Sequence, residues 1–150
     1  MKKITKSIIG LLMVAAVLTS CKKDTALSKT ELLTKQPWKL TAYIQKDIST
    51  GVEQDNFAPM TACYKDDNYV YKPDMSYEGN AGVTKCSNTD PQVFQTGTWS
   101  FKNNETILER IITSGVGTGT IEFTVTSITA TELKVHTIQG SNDHIFTYSH

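Results

Sequence analysis

Gly97-Thr98-Trp99-Ser100-Phe101 alternates small or polar residues with aromatic ones, and the stretch from Phe94 to Phe101 around it is the clearest strand in the chain. Asn103-Asn104 follows, a pair that accepts positive backbone angles and so closes a short hairpin. Thr106 to Ile112 is the returning strand. Past a glycine loop, Ser114 to Gly119, the alternation resumes: Ile121, Phe123 and Val125 are interleaved with Glu122, Thr124 and Thr126. Ala130-Thr131-Glu132 turns into Leu133–Ile138, and Gly140-Ser141-Asn142-Asp143 turns into Ile145–Tyr148. Upstream, Trp38–Ile44 is a first strand, and Asn68–Lys72 with Ser76–Gly79 forms a hairpin about Pro73-Asp74. The chain thus turns over every ~8 to 12 residues without a helical pattern in between, the spacing of a sandwich or barrel, which excludes βαβ units.

Eight such strands predict an all-β fold. The first and last are apolar, aromatic and free of charged guards, and an unpaired edge of that kind invites aggregation. Pairing them with each other predicts a closed eight-stranded antiparallel up-and-down barrel, with room for side chains or one small ligand. One short helix precedes it. Ser28-Lys29-Thr30-Glu31 is a capping box, flanked by Leu27 and Leu32 as a hydrophobic staple. The helix should run from Lys29 to about Gln36, where Pro37 stops it. Gln45 to Ala62 reads as a long connection, a candidate lid or side crossing. Asn80 to Gln92 reads as a loop carrying Cys86.

The N-terminus is of another kind. Lys2, Lys3 and Lys6 precede an apolar run from Ile8 to Leu18, and Leu18-Thr19-Ser20-Cys21 closes it. A basic region, a short apolar run and small residues make a secretory signal. The run is too short to span a bilayer, which takes about 20 residues. A Leu and two small residues before a Cys form a lipobox. Residues 1–20 are then a removable signal peptide, Cys21 is acylated with chains of the palmitate kind, 21–27 is a tether, and 28–150 is the barrel domain. The plainer alternative is an ordinary signal peptide with a chance cysteine. Lys22 after the cysteine, in place of a retention Asp, favours the outer membrane.

Composition narrows the functions. After residues 1–20, twelve basic residues face fifteen acidic ones, and the only arginine is Arg110. That balance excludes a partner bound by phosphate neutralisation, so nucleic acid is not expected. With Cys21 acylated, Cys63 and Cys86 remain, and in an exported protein a disulfide is the default. It would close a loop of about 24 residues and contribute about 3 kcal/mol in the chain-entropy model. A thiolate metal pair or a redox dithiol would need other spacing.

The lipobox, Leu33-x-x-x-x-Trp38-Lys39-Leu40, Cys63-x-x-Asp66-Asp67-x-Tyr69-x-Tyr71, Asp74-x-Ser76-Tyr77, Cys86, Gly97-Thr98-Trp99-Ser100-Phe101 and the Ile-x-Phe and Leu-x-Val strands occur in this order. Together they resemble the lipocalin-like lipoproteins of Bacteroidetes over roughly residues 30–148. The resemblance implies a lipocalin-type barrel in the cell envelope with no assigned enzymatic activity. Two features depart from true lipocalins. Gln36-Pro37-Trp38 stands where they have G-x-W, and their arginine over that tryptophan has only Arg110 as a candidate. Asp24-Thr25-Ala26 also fits the D-[ST]-apolar pattern of Bacteroidetes O-glycosylation.

No catalytic residue, metal or cofactor is assigned. His136, His144 and His150 fall in the last fifteen residues with no G-x-S-x-G anywhere. His144, Phe146, Tyr148 and His150 share a strand face, which would suit a metal or pH-sensitive patch; exposed strand and terminal histidines are the plainer reading. Asp66-Asp67-Asn68 lacks the glycine and glutamate of a calcium loop, and is expected to turn the chain, with one carboxylate taking loop amides. The glycines from Gly115 to Gly119 lack the register of a phosphate cradle. The aromatics remain. Tyr69, Tyr71, Tyr77, Trp99, Phe101 and Phe123 either fill the core or wall a cavity for a small apolar ligand. The expectation is a non-enzymatic envelope lipoprotein that meets the membrane through its anchor and binds a small hydrophobic ligand, or else has a filled barrel and contacts an envelope protein.

Overall fold

The computed structural model describes residues 26–150. The expected signal peptide, Cys21, most of the expected tether and Asp24-Thr25 of the D-[ST]-apolar match lie outside the described residues. The elements in order are α1 (Lys29–Thr34), β1 (Trp38–Asp47), β2 (Glu53–Asp55), α2 (Ala62–Lys65), β3 (Asn68–Tyr71), β4 (Ser76–Asn80), β5 (Val93–Lys102), β6 (Ile107–Gly115), β7 (Gly119–Ile128), β8 (Glu132–Gln139) and β9 (Asn142–Ser149).

From β3 to β9 each strand pairs antiparallel with the next, and β9 returns to β1. Tyr43↔Phe146, Ile44↔Ile145 and Gln45↔His144 are among the partners, with a bulge between Leu40 and Ala42. The all-β, closed eight-stranded antiparallel barrel is therefore present, and the first and last of its strands are paired with each other. Closure on the other side of β1 is narrow. Trp38↔Tyr69 and Lys39↔Asn68 join it to β3, and farther along β2 takes that edge at Ile44–Lys46. The connection from Gln45 to Ala62, read as a candidate lid or side crossing, thus holds a short strand and ends where α2 begins, and Phe57 and Met60 from it pack against the core.

Local chemistry sets the boundaries. Ser28 Oγ accepts from Glu31 N at 3.2 Å and Glu31 Oε2 accepts from Ser28 N at 2.8 Å, so the capping box is closed in both directions. The helix ends two residues earlier than expected, at Thr34. Asn103 and Asn104 take positive φ in the β5–β6 hairpin, as does Glu105 beside them. Gly97 sits at a bulge where β6 comes so close that a Cβ would lie 1.9 Å from Ile111 O.

The core runs along the inward faces of the strands: Trp38 and Leu40, Tyr71, Tyr77, Trp99, Leu108 and Ile112, Phe123, Leu133 and Val135, Tyr148. One end is closed by α1. Leu33 and Trp38 are fully buried, Trp38 Nε1 donates to Leu33 O at 2.9 Å, and Lys29 Nζ donates to Glu105 O at 2.7 Å. The His150 ring, not an arginine, lies over Trp38, 3.9 Å between centroids. At the other end the chain from Ala81 to Gln92 forms a strap, tied to α2 by the Cys63–Cys86 disulfide with Cα atoms 5.2 Å apart.

Candidate functional site

The six aromatic residues singled out in the sequence all belong to the barrel core. Tyr71 meets Tyr77 at 5.3 Å and Trp99 at 5.9 Å, and Trp99 meets Phe101 edge-on at 5.7 Å. Their centre is Arg110, 6% exposed, with its guanidinium 4.4 Å from the Phe123 ring and 5.2 Å from the Tyr77 ring, and with Tyr69 slightly farther off. Arg110 Nη1 donates to Tyr77 Oη at 2.9 Å, and Tyr77 Oη donates to Gln95 Oε1 at 3.1 Å. No carboxylate among the described residues pairs with it, and its Nε has no partner. Burial pushes the hydroxyls of Tyr69, Tyr71, Tyr77 and Tyr148 up, so they stay neutral donors at any ordinary pH.

The open volume lies higher, beneath the strap. A cavity of about 320 Å³ is lined by Cys63, Asp67, Ala81, Cys86, Pro91 and Phe94, with Tyr64, Thr84, Asp90, Gln95 and Val116 completing the wall. None of the six sequence-selected aromatics lines it. Each wall segment is held by its own device. Asp66 Oδ2 accepts from Val83 N at 3.1 Å and Thr84 N at 2.9 Å, the carboxylate-to-loop-amide role expected of this acidic pair. Gln92 Nε2 donates to Asn80 Oδ1 and to Gly82 O, and Gln95 Nε2 donates to Val116 O at 2.7 Å. Phe94 lies over Gly79, whose absent Cβ would fall 2.7 Å from the ring, and meets Tyr69 edge-on at 6.3 Å. Gly79 therefore makes room for the ring that separates the cavity from the filled interior.

Asp67, beside this wall, is 8% exposed. Burial, then the Asp66 charge, pushes its carboxyl up to about 6. In the sequence the acidic pair signals a turn with one carboxylate on loop amides, and nothing local marks Phe94, Pro91 and Val116 as wall residues. The pairing of Cys63 with Cys86 was the one signal that brings the wall segments together.

The histidines do not converge. His136 Nδ1 lies 2.9 Å from Asp143 Oδ1, His144 Nδ1 lies 2.8 Å from Tyr43 Oη, and His150 Nδ1 lies 2.8 Å from Pro37 O. Among the described residues no group of three or more His, Cys, Asp or Glu is placed to hold a metal. A second hollow, of about 360 Å³, lies between Ile107, Glu122, Thr124, His136, Thr137 and Ile138. Ile138 and Glu122 are exposed, and the Lys102–Glu122 pair at 2.9 Å stands beside it.

A closed meander of eight strands, plugged at one end by a short helix and hollow under the opposite rim, defines a small antiparallel β-barrel domain. The chain belongs to the lipocalin-like domain family, whose model matches residues 34–135. The match stops inside β8, so the closing strand β9 lies beyond it. Among solved structures the chain is similar to a lipocalin-like protein from Bacteroides uniformis, at 16% identity and a TM-score of 0.47, covering 77% of this chain and 96% of that one. No curated protein matches the chain.

Proposed function

We propose that this chain is a non-enzymatic lipoprotein of the bacterial cell envelope, held at the outer membrane by acyl chains on Cys21. Its lipocalin-like barrel takes a small, largely apolar molecule in the cavity under the disulfide strap. The observation that carries the ligand half is that cavity of about 320 Å³, walled by Phe94, Pro91, Ala81, Val116 and the disulfide, with Asp67, Thr84, Asp90 and Gln95 as polar points among them. That size is at the low end of ligand pockets, which start at about 300 Å³. The anchor half rests on Leu18-Thr19-Ser20-Cys21 after a basic and then an apolar run. More than one acyl chain gives stable membrane attachment, which a multiply acylated Cys21 supplies.

Saturable binding of a hydrophobic fluorescent probe is the expected result, with Phe94→Ala changing its affinity by about threefold or more. A signal that rises without saturation overturns the ligand half. Labelled palmitate should enter the wild-type protein in cells and be lost in Cys21→Ala; label retained in the variant overturns the anchor half. A second reading, a structural or partner-contacting envelope lipoprotein, draws support from the packed aromatic interior around Arg110. It expects no probe binding, and recovery of neighbouring envelope proteins by cross-linking.

A further inference from the structure

The cavity wall carries one charged group for which the fold has no use. Asp67 lies between α2 and β3, 8% exposed, and lines the cavity. No described residue donates a hydrogen bond to its carboxyl, and none forms an ion pair with it. Burying a carboxylate without donors is unfavourable, and native proteins seldom keep one without a reason. Asp66 is engaged through one oxygen: its Oδ2 takes the strap amides of Val83 and Thr84, while its Oδ1 is buried without a partner. Asp67 has no such task.

The groups that face Asp67 are acidic or neutral. Asp66 stands beside it at the end of α2, the phenols of Tyr69 on β3 and Tyr77 on β4 lie behind it, and Asp90 lines the cavity from the strap. The cations are turned elsewhere. Lys65 reaches Ala58 O and lies over the Phe57 ring, and Arg110 donates to Tyr77. Lys85 sits on the strap between two lining residues without lining the cavity itself. The apolar wall asks for an apolar body, and the unmatched carboxylate asks for a positive donor.

We infer that the cavity selects an organic cation, an ammonium head on a short apolar body, with the head on Asp67 and the body between Phe94, Pro91 and Val116. The inference rests on the ligand-binding reading above and adds the head group to it. An ammonium carries three donors and no acceptor, so it fills the lone pairs that the protein leaves open. Burial and Asp66 hold the Asp67 carboxyl at about 6, so it is mostly charged at neutral pH and loses that charge just below. Cation binding therefore strengthens as pH rises through about 6.

Calorimetric titration of the full chain with decylammonium, decanol and decanoate separates head from tail. At about pH 7.5 the ammonium should bind about tenfold tighter than the alcohol, the size a hydrogen bond to a charged group carries, with decanoate weakest. In Asp67→Asn that advantage should vanish while decanol is held as before, which also reports an intact fold. In the wild-type protein the ammonium should weaken about fivefold or more between about pH 7.5 and about pH 5, with decanol unchanged; this comparison stands alone if the variant does not fold. Equal affinity for the three tails, an ammonium preference that survives in Asp67→Asn, or a preference indifferent to pH overturns the inference and leaves the ligand reading in place. No binding by any tail removes both.

Discussion

The two ends of the barrel use the same strands to opposite effect. Under α1, closure is by apolar burial: Leu33, Trp38 and Leu108 are fully buried and Leu133 is 1% exposed. Under the strap, closure is by one disulfide, the Asp66 and Gln92 hydrogen bonds to loop backbone, and a single ring, Phe94 over Gly79. Apolar burial leaves no volume behind it, because interiors pack to the density of organic crystals. A covalent tie with local hydrogen bonds holds a shape without filling it. The helix end is thus the core of this small domain, and the strap end is where a site can persist.

The largest effect should come from the helix end. Trp38→Ala removes a buried indole and its hydrogen bond to Leu33 O, and is expected to cost about 3–5 kcal/mol in denaturant unfolding. A loss under about 1 kcal/mol would break the contrast, because α1 would then be an ornament on a barrel closed by other means. Next comes the strap. Replacing Cys63 and Cys86 together by alanine should lower stability by about 3 kcal/mol. The same pair of changes should weaken probe binding, which distinguishes a tie that shapes a site from one that merely adds stability. Unchanged probe affinity in that variant would detach the cavity from its strap.

The smallest effect has a distinctive sign. The Asp67 carboxyl is raised on folding to about 6, so the folded state binds its proton more tightly than the unfolded chain does. Stability from this group is complete below the unfolded carboxyl range near pH 4 and is lost as pH climbs through about 6. Asp67→Asn removes that loss. It should stabilise the protein by about 1–2 kcal/mol at pH 7 and leave it unchanged near pH 3.5, as read from paired denaturation curves. Destabilisation at pH 7 would mean that the carboxylate has a donor in the fold, and would sharpen the contrast by making the strap end a closed network.

The strands were legible where the signal is local. Gly97–Phe101, Ile121–Val125 and Leu133–Val135 alternate at period two, and a strand that buries one face must do so. Asn103-Asn104 and the capping box at Ser28–Glu31 were legible because their chemistry acts within four residues. β2 was not legible: Glu53-Gln54-Asp55 is exposed throughout and pairs only because β1 has an edge to spare. α2 is one turn, without a side-chain cap hydrogen bond. The aromatics showed that there was a core without showing which rings would border open space. Tyr69 and Phe94 are both partly buried and touch, yet only Phe94 lines the cavity.

The order of residues alone set the strands, the turns, the starting helix, the cysteine pair and the first and last strands that had to be paired, because each follows from chemistry between near neighbours or from the count of unpartnered groups. The tertiary structure decided where the interior is full and where it is hollow, that Arg110 serves the tyrosines and His150 covers Trp38, and that Asp67 is buried without a donor. Those outcomes depend on segments far apart in the chain, 63–67, 81–95 and 116, arriving at one rim. Volume left between packed surfaces belongs to none of them singly, and no local pattern can encode it.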